Sequence, residues 1–433
     1  MNERNFAIET LIKVFRGGFA SELLLEVNNN LNKQLIRQLV YGVIENNVFL
    51  EYTIRHSLLK PDKKLKEEVS TILKVGIYQK FFMNNIPDYA IVNESLKSCE
   101  YFHVSNMKGL VNSILRNIEK DEIDNSISKM PSVNDRLKTT YSVSEDFYDL
   151  LLKNYKIKTI RKILDSFLNP PEFIIRVNEI VTNIEILKQE LMKLDIYFKD
   201  HPFLGNALII DNPYNIFETE IFQKGFFTIQ GGGSILSSIS LNPKQDSNIL
   251  DICAAPGGKT CHLCDLIENK GNILANDIHK NKLSKIKENA SRLKCKNISY
   301  SSFDATVFQK DIVNSFDYIL LDAPCSGSGV VSKNPEIKLR RNKEEIRKLI
   351  KTQRMIMENS IKYLKIGGHI LYSTCSIFKE ENEEQREYFL DRFNNIKTEE
   401  FEYRGKLVPY LSLMPYEEGT DGFFISKFKK ISN

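Results

Sequence analysis

The sequence lacks long apolar runs, and its cysteines are few and scattered. No stretch approaches the ~18 consecutive apolar residues that a membrane span requires. Seven cysteines, an odd number spread over 433 residues, argue against a disulfide framework. The first residues lead into an amphipathic pattern rather than a continuous apolar core, which does not fit a signal peptide. We therefore expect a cytoplasmic protein with reduced thiols, and because no feature indicates an oligomer we expect a monomer.

The excess of positive charge is also small. A formal net charge of +4 does not by itself indicate a nucleic-acid partner, so the position of the charge matters more. The segment from Lys333 to Arg354 holds nine lysines and arginines against three glutamates. A second cluster, opposed only by Glu288, consists of Lys280, Lys282, Lys285, Lys287, Arg292, Lys294 and Lys296. Two solvated helix faces would explain both clusters, but their position beside the motifs described below favours contacts to nucleic-acid phosphates.

A chain of this length exceeds the roughly 250–300 residues beyond which a single core stops growing, so several domains are expected. Residues 1–125 show helical periodicity with few strand signals, which predicts an all-α domain. The polar stretch Lys120–Pro131 indicates a linker. Residues 134–233 combine helical patterns with two short strand-like segments, Phe173–Asn178 and Ala207–Ile210. They predict a small α+β connecting domain.

Residues 234–433 alternate apolar strands with helices, which is the pattern of a parallel sheet with crossover helices. The predicted strands are Asn248–Cys253, Asn272–Asn276, Ile298–Ser302, Asp317–Leu321, His369–Ser373 and a closing strand at Gly422–Phe428. We therefore predict a multidomain chain that ends in an α/β, Rossmann-like domain.

The most specific local signal is the segment Ile249–Thr260, in which a buried strand stops at a tight turn and a helix begins near Lys259. The turn consists of small residues and runs Cys253-Ala254-Ala255-Pro256-Gly257-Gly258. Glycine lets the backbone approach a ligand closely, and a helix N-terminus presents free N–H groups to a carboxylate or phosphate. The Gly-Lys-Thr triplet is not a nucleotide-triphosphate loop, because the first glycine and the four-residue spacer of that motif are missing.

Three aspartates follow the next strands of the predicted sheet. Asp277 closes the second strand, Asp304 follows the third and Asp322 follows the fourth. Ligands of open α/β sheets bind outside the carboxyl ends of the strands, where a carboxylate can bind ribose hydroxyls. A single strand-end aspartate is as readily explained as a helix cap, but three in register with a glycine turn favour a ligand site.

Two cysteines lie at the same predicted edge, Cys325 just after the fourth strand and Cys375 just after the fifth. A thiolate that adds to C6 of a cytosine makes C5 nucleophilic toward a methyl sulfonium, and an acid near N3 would stabilise the charge that develops there. The other cysteines are interpreted as packing residues, and no metal site is predicted, because no second ligand pair follows at zinc-binding spacing. They are Cys99, Cys253, Cys261, Cys264 and Cys295.

Taken together, the motifs resemble the Nol1/Nop2/Sun family of RNA 5-methylcytosine methyltransferases. The family's hallmark is a pair of cysteines in Asp-Ala-Pro-Cys-Ser-Gly and Ser-Thr-Cys-Ser, and both are present. The resemblance implies a class I methyltransferase domain with S-adenosylmethionine as cofactor. It makes Cys375 the nucleophile, Cys325 a helper in proton removal or product release, and Asp322 the acid that faces the base. The resemblance also assigns Asp277 to the ribose and Asp304 to the adenine of the cofactor.

The same resemblance extends to the turn and to the front of the chain. It makes Lys259 an active-site lysine and places the cofactor on the turn from Cys253 to Lys259, together with Asp322. Residues 1–125 resemble the RNA-binding helical domain of the NusB family, and this front domain implies 16S ribosomal RNA as the substrate, naked or in an early small-subunit particle. The matching segments are Leu39–Val43, Leu73–Tyr78, Ile86–Glu94 and Gly109–Asn117. Two further family segments are matched by Phe173–Asn178 and Gly419–Phe424.

The sequence departs from the family pattern in three places. Gly231–Ser234 replaces an acidic and a small residue, and we expect this glycine run to loosen the entry to the first strand of the sheet. Val330–Lys338 replaces a segment with arginines and a His-Pro pair. Because the chain has no tryptophan, any stacking on RNA bases falls to tyrosine or phenylalanine.

Three other functions stay open at this point. Transfer RNA could be the substrate of the same chemistry, although the NusB-like domain argues modestly against it. A non-catalytic RNA-binding assembly factor would have no chemical reason to keep Cys325, Cys375, Asp322 and Lys259 together. A DNA cytosine methyltransferase would leave the second cysteine unexplained.

Overall fold

The computed structural model describes residues 2–28, 30–62, 64–213 and 215–433. Within that part of the chain, none of the helices is both long and apolar enough to cross a membrane. In chain order the α-helices are α1 (Glu3–Phe15), α2 (Ala20–Leu23), α3 (Lys33–Glu45), α4 (Asn47–His56), α5 (Glu67–Phe82), α6 (Asp88–Tyr101), α7 (Lys108–Asn117), α8 (Lys120–Ser128), α9 (Val133–Thr140), α10 (Glu145–Asn154), α11 (Ile157–Phe167), α12 (Ile184–Lys193), α13 (Glu220–Gln223), α14 (Gly232–Leu241), α15 (Gly258–Leu266), α16 (Leu283–Arg292), α17 (Ile337–Arg340), α18 (Lys343–Tyr363) and α19 (Glu383–Arg392).

Each of the eight predicted strand segments corresponds to a strand of the described chain, and six further short strands were not predicted. In chain order the strands are β1 (Phe173–Val177), β2 (Phe198–Asp200), β3 (Ala207–Ile210), β4 (Phe227–Ile229), β5 (Asn248–Asp251), β6 (Asn272–Asn276), β7 (Ile298–Ser301), β8 (Phe316–Asp322), β9 (Leu364–Thr374), β10 (Ile396–Thr398), β11 (Phe401–Tyr403), β12 (Lys406–Val408), β13 (Tyr410–Leu413) and β14 (Phe423–Lys430). β1–β4 form an antiparallel sheet in the order β2-β3-β1-β4, and β11 pairs with β12. The large sheet has the order β10-β14-β9-β8-β5-β6-β7, with β13 added beside β14.

The chain folds into two compact units. The first unit comprises Met1–Ile160 together with Val331–Asn342, and the second comprises Arg161–Val330 together with Lys343–Asn433. The first unit is helical, and its core collects the apolar faces of helices α1, α3 and α5. It also contains a short segment from the second half of the chain, which the helical periodicity does not reveal. The predicted domain boundaries at residues 125, 134 and 233 stay predictions.

Side-chain caps explain where several helices of the first unit begin. Asn2 accepts a hydrogen bond from the Asn5 amide at 2.9 Å, and Asn32 accepts one from the Leu35 amide at 3.0 Å. These side-chain oxygens satisfy amide donors that have no partner within the helix. The local sequence therefore determines where α1 and α3 begin.

The predicted linker at Lys120–Pro131 is wrong for most of its length. Residues Lys120–Ser128 form helix α8, and its Ile123 and Ile127 are buried in the core of the first unit. The two isoleucines are four positions apart and therefore lie on one helix face. That burial outweighs the polar composition that suggested a linker.

The large sheet of the second unit is a doubly covered, mostly parallel sheet, as the alternation of strands and helices predicts. β5 pairs in parallel with β6 and β8, and β8 pairs in parallel with β9, while β14 runs antiparallel to β9. Ile249 of β5 packs in one core with residues of α14 and α15, and Leu250 packs in another core with residues of α18 and α19. Both faces of β5 are therefore covered by helices. A ligand can reach the strand only at its carboxyl end, at the edge of the sheet.

The glycine run at Gly231–Ser234 does not loosen the start of this sheet. Gly232 is the first residue of α14, and a Cβ there would meet the Gly419 carbonyl oxygen at 2.1 Å. A Cβ on Gly233 would meet the ring of Phe423 at 2.4 Å. The expectation is corrected: the glycines allow α14 to pack directly against the backbone and ring of the closing strand region.

Candidate active site

The turn after β5 is shaped by one glycine in the left-handed region. Gly257 has a φ of +99°, and a Cβ there would lie 2.9 Å from Ile286. The amide of Gly257 donates to the Ala254 carbonyl at 2.7 Å, and the Ala255–Pro256 peptide bond is cis. α15 begins directly after this turn with no side-chain cap. Its first amide groups can therefore bind a ligand's carboxylate.

The predicted aspartates of β6 and β7 occupy the edge beside this turn. Asp277 accepts hydrogen bonds from the amides of Ala255 at 3.2 Å and His279 at 2.9 Å. Asp304 accepts from the amide and hydroxyl of Thr306 at 2.8 and 2.7 Å. Asp277 is thus joined to the glycine turn, whereas within the described chain no hydrogen bond joins Asp304 to another predicted site residue. Both carboxylates stabilise local turns, and their role as ligand-binding residues stays a prediction.

The end of β8 brings Asp322 together with Lys259. The ammonium of Lys259 lies 2.6 Å from Asp322 Oδ2, and the Ser373 hydroxyl donates to Asp322 Oδ1 at 2.8 Å. Burial lowers the pKa of Lys259, but the charge and hydrogen bond of Asp322 outweigh that effect and raise it. Lys259 is therefore held as an ammonium beside Asp322. It also lies 5.4 Å from the ring centre of Phe423.

Cys325 and Cys375 come from loops 50 positions apart in sequence, and their sulfur atoms are 3.4 Å apart. The loops are joined directly, because the Gly329 amide donates to the Cys375 carbonyl at 2.9 Å. The hydrogen bond with Cys375, followed by burial, raises the pKa of Cys325 well above its usual range. Cys325 therefore holds its proton and can donate it in a hydrogen bond to a Cys375 thiolate. The role of each thiol stays a prediction.

A buried carboxylate that sequence analysis missed connects the two cysteine loops. Glu381 accepts hydrogen bonds from the Ser326 amide at 2.9 Å, the Ser376 hydroxyl at 2.6 Å and the Gln353 side-chain amide at 3.1 Å. Ser326 directly follows Cys325, and Ser376 directly follows Cys375. In the sequence Glu381 lies in an acidic run that is typical of a solvated helix start, and no local signal distinguishes it.

Asp251, the last residue of β5, is the second site residue that sequence analysis missed. Its carboxylate accepts a hydrogen bond from the Thr260 hydroxyl at 2.6 Å and is buried. Burial raises its pKa to about 7, and the charges of Asp322 and Asp277 add to this effect. Cys253, two positions later, is half-buried, and burial raises its pKa as well. A single aspartate at the end of the first strand could have been singled out by the same argument that selected the other three.

The side chains of the two basic clusters make different kinds of contact in the structure. Lys338 and Arg340 are used inside the first unit, Lys348 pairs with Glu344, and Arg354 stacks on the ring of Tyr388 at 3.7 Å. The cluster from Lys333 to Arg354 is therefore not one continuous phosphate-binding face. In the second cluster Arg292 is structural and donates to two backbone carbonyls, those of Phe222 and Phe227. Contacts from its exposed lysines to phosphates stay a prediction.

Residues 238–429 match the family model described as 16S rRNA methyltransferase RsmB/F, and residues 1–120 match the model described as NusB family. Over 442 residues the chain is 31% identical to the "Probable ribosomal RNA small subunit methyltransferase B" of Bacillus subtilis (strain 168), which covers 99% of this chain and 98% of that protein. The chain belongs to the RsmB/F family of 16S rRNA methyltransferases. The family resemblance and the NusB-like front domain are both confirmed.

Solved structures agree with the fold of this RsmB/F methyltransferase. The crystal structure of PH0851 superposes with a TM-score of 0.82 at 24% identity, covering 99% of both chains, and shows the fold. The crystal structure of NSun6 from Pyrococcus horikoshii with SFG has a TM-score of 0.60 and 25% identity, and it covers 67% of this chain and 99% of that chain. S-Adenosylmethionine is the cofactor of the family.

The residues present fit that cofactor. A Cβ on Gly258 would meet nothing within 4 Å, so the first turn of α15 faces open space. The uncapped amides of α15 suit the carboxylate of a methionine moiety, and Asp277, held beside the turn, suits ribose hydroxyls. When bound there, the cofactor supplies a methyl group on a positively charged sulfur.

Two other family segments have structural roles in the RsmB/F methyltransferase. Arg176 is fully buried, forms an ion pair with Asp265 and donates to Gln230 at 2.9 Å. In the closing motif, the Gly422 amide donates to the Gly329 carbonyl at 2.9 Å, four positions after Cys325. The closing motif therefore holds the loop that carries one of the two thiols.

The raised pKa of Asp251 predicts a pH-dependent stability. Between its unfolded value of about 3.9 and its folded value of about 7, the folded state binds more protons, so stability falls as pH rises through this range. We expect Asp251→Asn to remove this contribution, on the order of 1–4 kcal/mol. The midpoint of thermal unfolding should then fall several degrees less between pH 5 and pH 8 in the variant than in the wild type. Exposed Asp391→Asn is the control, and equal falls in Asp251→Asn and wild type would contradict the assignment.

Proposed function

We propose that this protein transfers a methyl group from S-adenosylmethionine to C5 of a cytosine in 16S ribosomal RNA through a covalent bond between Cys375 and C6. The observation that carries the proposal is the pair of thiols, 3.4 Å apart, at the ends of neighbouring strands β8 and β9. Asp322, the last residue of β8, forms an ion pair with Lys259 at the start of α15. The relatives named for ribosomal RNA small subunit methylation support the substrate.

The proposed reaction divides one difficult step into several easier ones. The Cys375 thiolate forms a bond from Sγ to C6, and the electron pair of the C5–C6 double bond gives C5 nucleophilic character. Asp322 enters this step as a neutral carboxyl group, donates its proton to N3, where negative charge collects, and takes that proton back when the adduct breaks down. C5 would then attack the methyl carbon that the bound cofactor supplies, and the electron pair of the broken carbon–sulfur bond would stay on the sulfur. A base takes the C5 proton, the C6–Sγ bond breaks, and its electron pair returns to Cys375.

The remaining residues are assigned to support these steps. Lys259, held as an ammonium beside Asp322, orients that carboxylate and offers a positive charge toward the base. Cys325 assists the release of the product, since its proton lies next to the sulfur that has to leave. The residues Cys253–Lys259 hold the methionine part of the cofactor, and Asp277 and Asp304 hold its ribose and adenine. The target base must leave its stack to reach Cys375.

The proposal is tested by transfer of labelled methyl to protein-free 16S RNA, to early small-subunit particles and to bulk transfer RNA. We expect label in 5-methylcytosine of the ribosomal RNA, or of the particles, and none in transfer RNA. Nucleoside analysis identifies the product, and Cys375→Ala is the matched control. Label confined to transfer RNA would keep the chemistry and refute the substrate. Binding of RNA and cofactor without label in any substrate would favour the assembly-factor alternative. We also propose that the enzyme acts as a monomer in the cytoplasm, and light scattering of the RNA complex tests the stoichiometry.

A further inference from the structure

The segment that follows the Cys325 loop leaves the second unit and becomes part of the first. The chain passes from Gly329 into Val331–Asn342, whose short helix α17 belongs to the first unit, and returns at Lys343 to begin α18. Ile337 is buried, and Leu339 packs against the helical core. This is the segment whose sequence departs from the family pattern.

Lys338 fixes the segment within the first unit. Only 2% of the residue is exposed, and its ammonium donates to the carbonyls of Glu45 at 2.9 Å and Tyr141 at 2.7 Å. These carbonyls lie at the C-terminal ends of α3 and α9, where helices leave carbonyl groups without partners and favour a cation. The Ser144 amide in turn donates to the Lys338 carbonyl at 3.1 Å.

Arg340 and Glu336 add two more attachments to the same unit. The Arg340 guanidinium donates to the carbonyls of Gly17 at 3.1 Å and Gly18 at 2.5 Å, and also to that of Val14, around the end of α1. Glu336 is buried and accepts a hydrogen bond from the Ala20 amide at 3.1 Å, at the start of α2. Three charged side chains within five positions therefore bond to backbone groups at the ends of four helices.

The chain just before this segment is held by hydrogen bonds to the Cys375 loop and to the closing motif. Gly329 donates to the Cys375 carbonyl and accepts from the Gly422 amide, each at 2.9 Å. A Cβ on Gly329 would lie 2.0 Å from the Gly422 carbonyl oxygen, so only glycine permits this close approach of the two backbone segments. Only a short stretch of chain separates this fixed point from the buried Lys338.

We propose that Glu336, Lys338 and Arg340 are positioning residues, which anchor the exit of the Cys325 loop in the helical unit and thereby set the position of Cys325 toward the target cytosine. The inference rests on the proposed function for its substrate. It gives the helical unit a second task besides binding RNA: it restrains one of the two thiol loops through the chain itself. Small displacements of reacting groups cause large changes in reaction rate. Loss of these attachments should therefore slow the methyl-transfer step itself.

The test uses two variants of the full-length protein. Lys338→Met keeps the length and apolar stem of the side chain but removes the three donors. A four-residue Gly-Ser-Gly-Ser insertion between Ser332 and Lys333 leaves all three anchors in place and lengthens the connection. We expect both variants to bind S-adenosylmethionine and 16S RNA within about twofold of the wild type. Single-turnover methyl transfer at saturating RNA and cofactor should fall by at least about tenfold.

A matched insertion of the same four residues between Arg404 and Gly405, at the exposed β11–β12 turn, is the control and should leave the rate unchanged. Hydrogen exchange of peptides that contain Gly329 gives a readout that needs no activity, and it should speed up in both Lys338→Met and the 332/333 insertion. If Lys338→Met unfolds the helical unit, the 332/333 insertion decides alone.

The inference is overturned if the 332/333 insertion leaves both the transfer rate and the exchange at Gly329 unchanged. It is also overturned if RNA affinity falls while the rate at saturating RNA is kept, because the segment would then serve RNA binding only. Failure of the proposed function would be a separate result, because the wild type would then make a product other than 5-methylcytosine. The ratio of the variant rate to the wild-type rate would still test whether Glu336, Lys338 and Arg340 position the Cys325 loop.

Discussion

Cys325→Ala is expected to accumulate a covalent protein–RNA adduct, whereas Cys375→Ala is expected to form no adduct and to lose methyl transfer by at least about three orders of magnitude. In the proposed chemistry Cys375 makes the bond to C6, so its removal leaves C5 without activation. Cys325 acts when that bond has to break, so its removal stops the reaction after methylation. The 3.4 Å between the two sulfurs makes these opposite outcomes the sharpest expectation from the structure.

The measurement is a denaturing gel of each variant after incubation with labelled RNA and S-adenosylmethionine, combined with nucleoside analysis of the free RNA. Only Cys325→Ala should show a slow-migrating, protease-sensitive band. Cys295→Ala removes a half-buried thiol elsewhere in the same unit and serves as the control. An adduct in Cys375→Ala, together with simple inactivity of Cys325→Ala, would show that the two roles are reversed.

The sulfur pair also affects the protonation of Cys325 before any substrate binds. Both come from strand ends, and the pKa of Cys325 is raised by its hydrogen bond to Cys375 and then by burial. The negative charge of Glu381 acts in the same direction. A proton kept on Cys325 is positioned to stabilise a thiolate on Cys375 while it attacks, and the sulfur when it leaves C6.

The carboxyl edge of the sheet could be predicted from the sequence because its signals are local. A buried strand that stops at a small-residue turn fixes where β5 ends, and parallel strands place their ends at one edge. The sequence alone therefore predicts that Asp322 and Cys375 lie at one edge of the sheet. In the structure, Asp322 and Ser373 are register partners of β8 and β9. The direct pairing of Lys259 with Asp322 follows from the same edge.

The contacts that could not be predicted are those in which a polar side chain is buried far from its neighbours in sequence. Lys338 lies in a basic stretch that is typical of a solvated surface, yet it bonds to carbonyls of Glu45 and Tyr141. Likewise, α8 is polar in composition, and only Ile123 and Ile127 reveal its buried face. In each case long-range packing decides the outcome, whereas composition reports only the average environment.

Glu381→Ala is expected to reduce methyl transfer by more than about a hundredfold and to destabilise the second unit by about 3 kcal/mol. The buried carboxylate is the common acceptor for Gln353 and for Ser326 and Ser376, which follow the two cysteines of the proposed site. Without it, three buried donors each lose one acceptor, and the two loops are no longer joined through one group. Circular dichroism with urea gives the stability, and single-turnover transfer gives the rate.

Glu381→Gln separates the geometric role of this residue from its charge. The amide keeps an oxygen for Ser326 and Gln353, so we expect most of the stability to be retained. Because the charge of Glu381 contributes to the raised pKa of Cys325, its removal should lower that pKa and shift the pH dependence of the transfer rate toward lower pH. Exposed Glu384→Gln removes a nearby charge that makes no such contact, and it should leave the profile in place. If the Glu381→Gln enzyme keeps the wild-type rate and an unshifted pH profile, the role of Glu381 is limited to stabilising the fold. The spacing of the two thiols would then depend on the backbone hydrogen bond between Gly329 and Cys375.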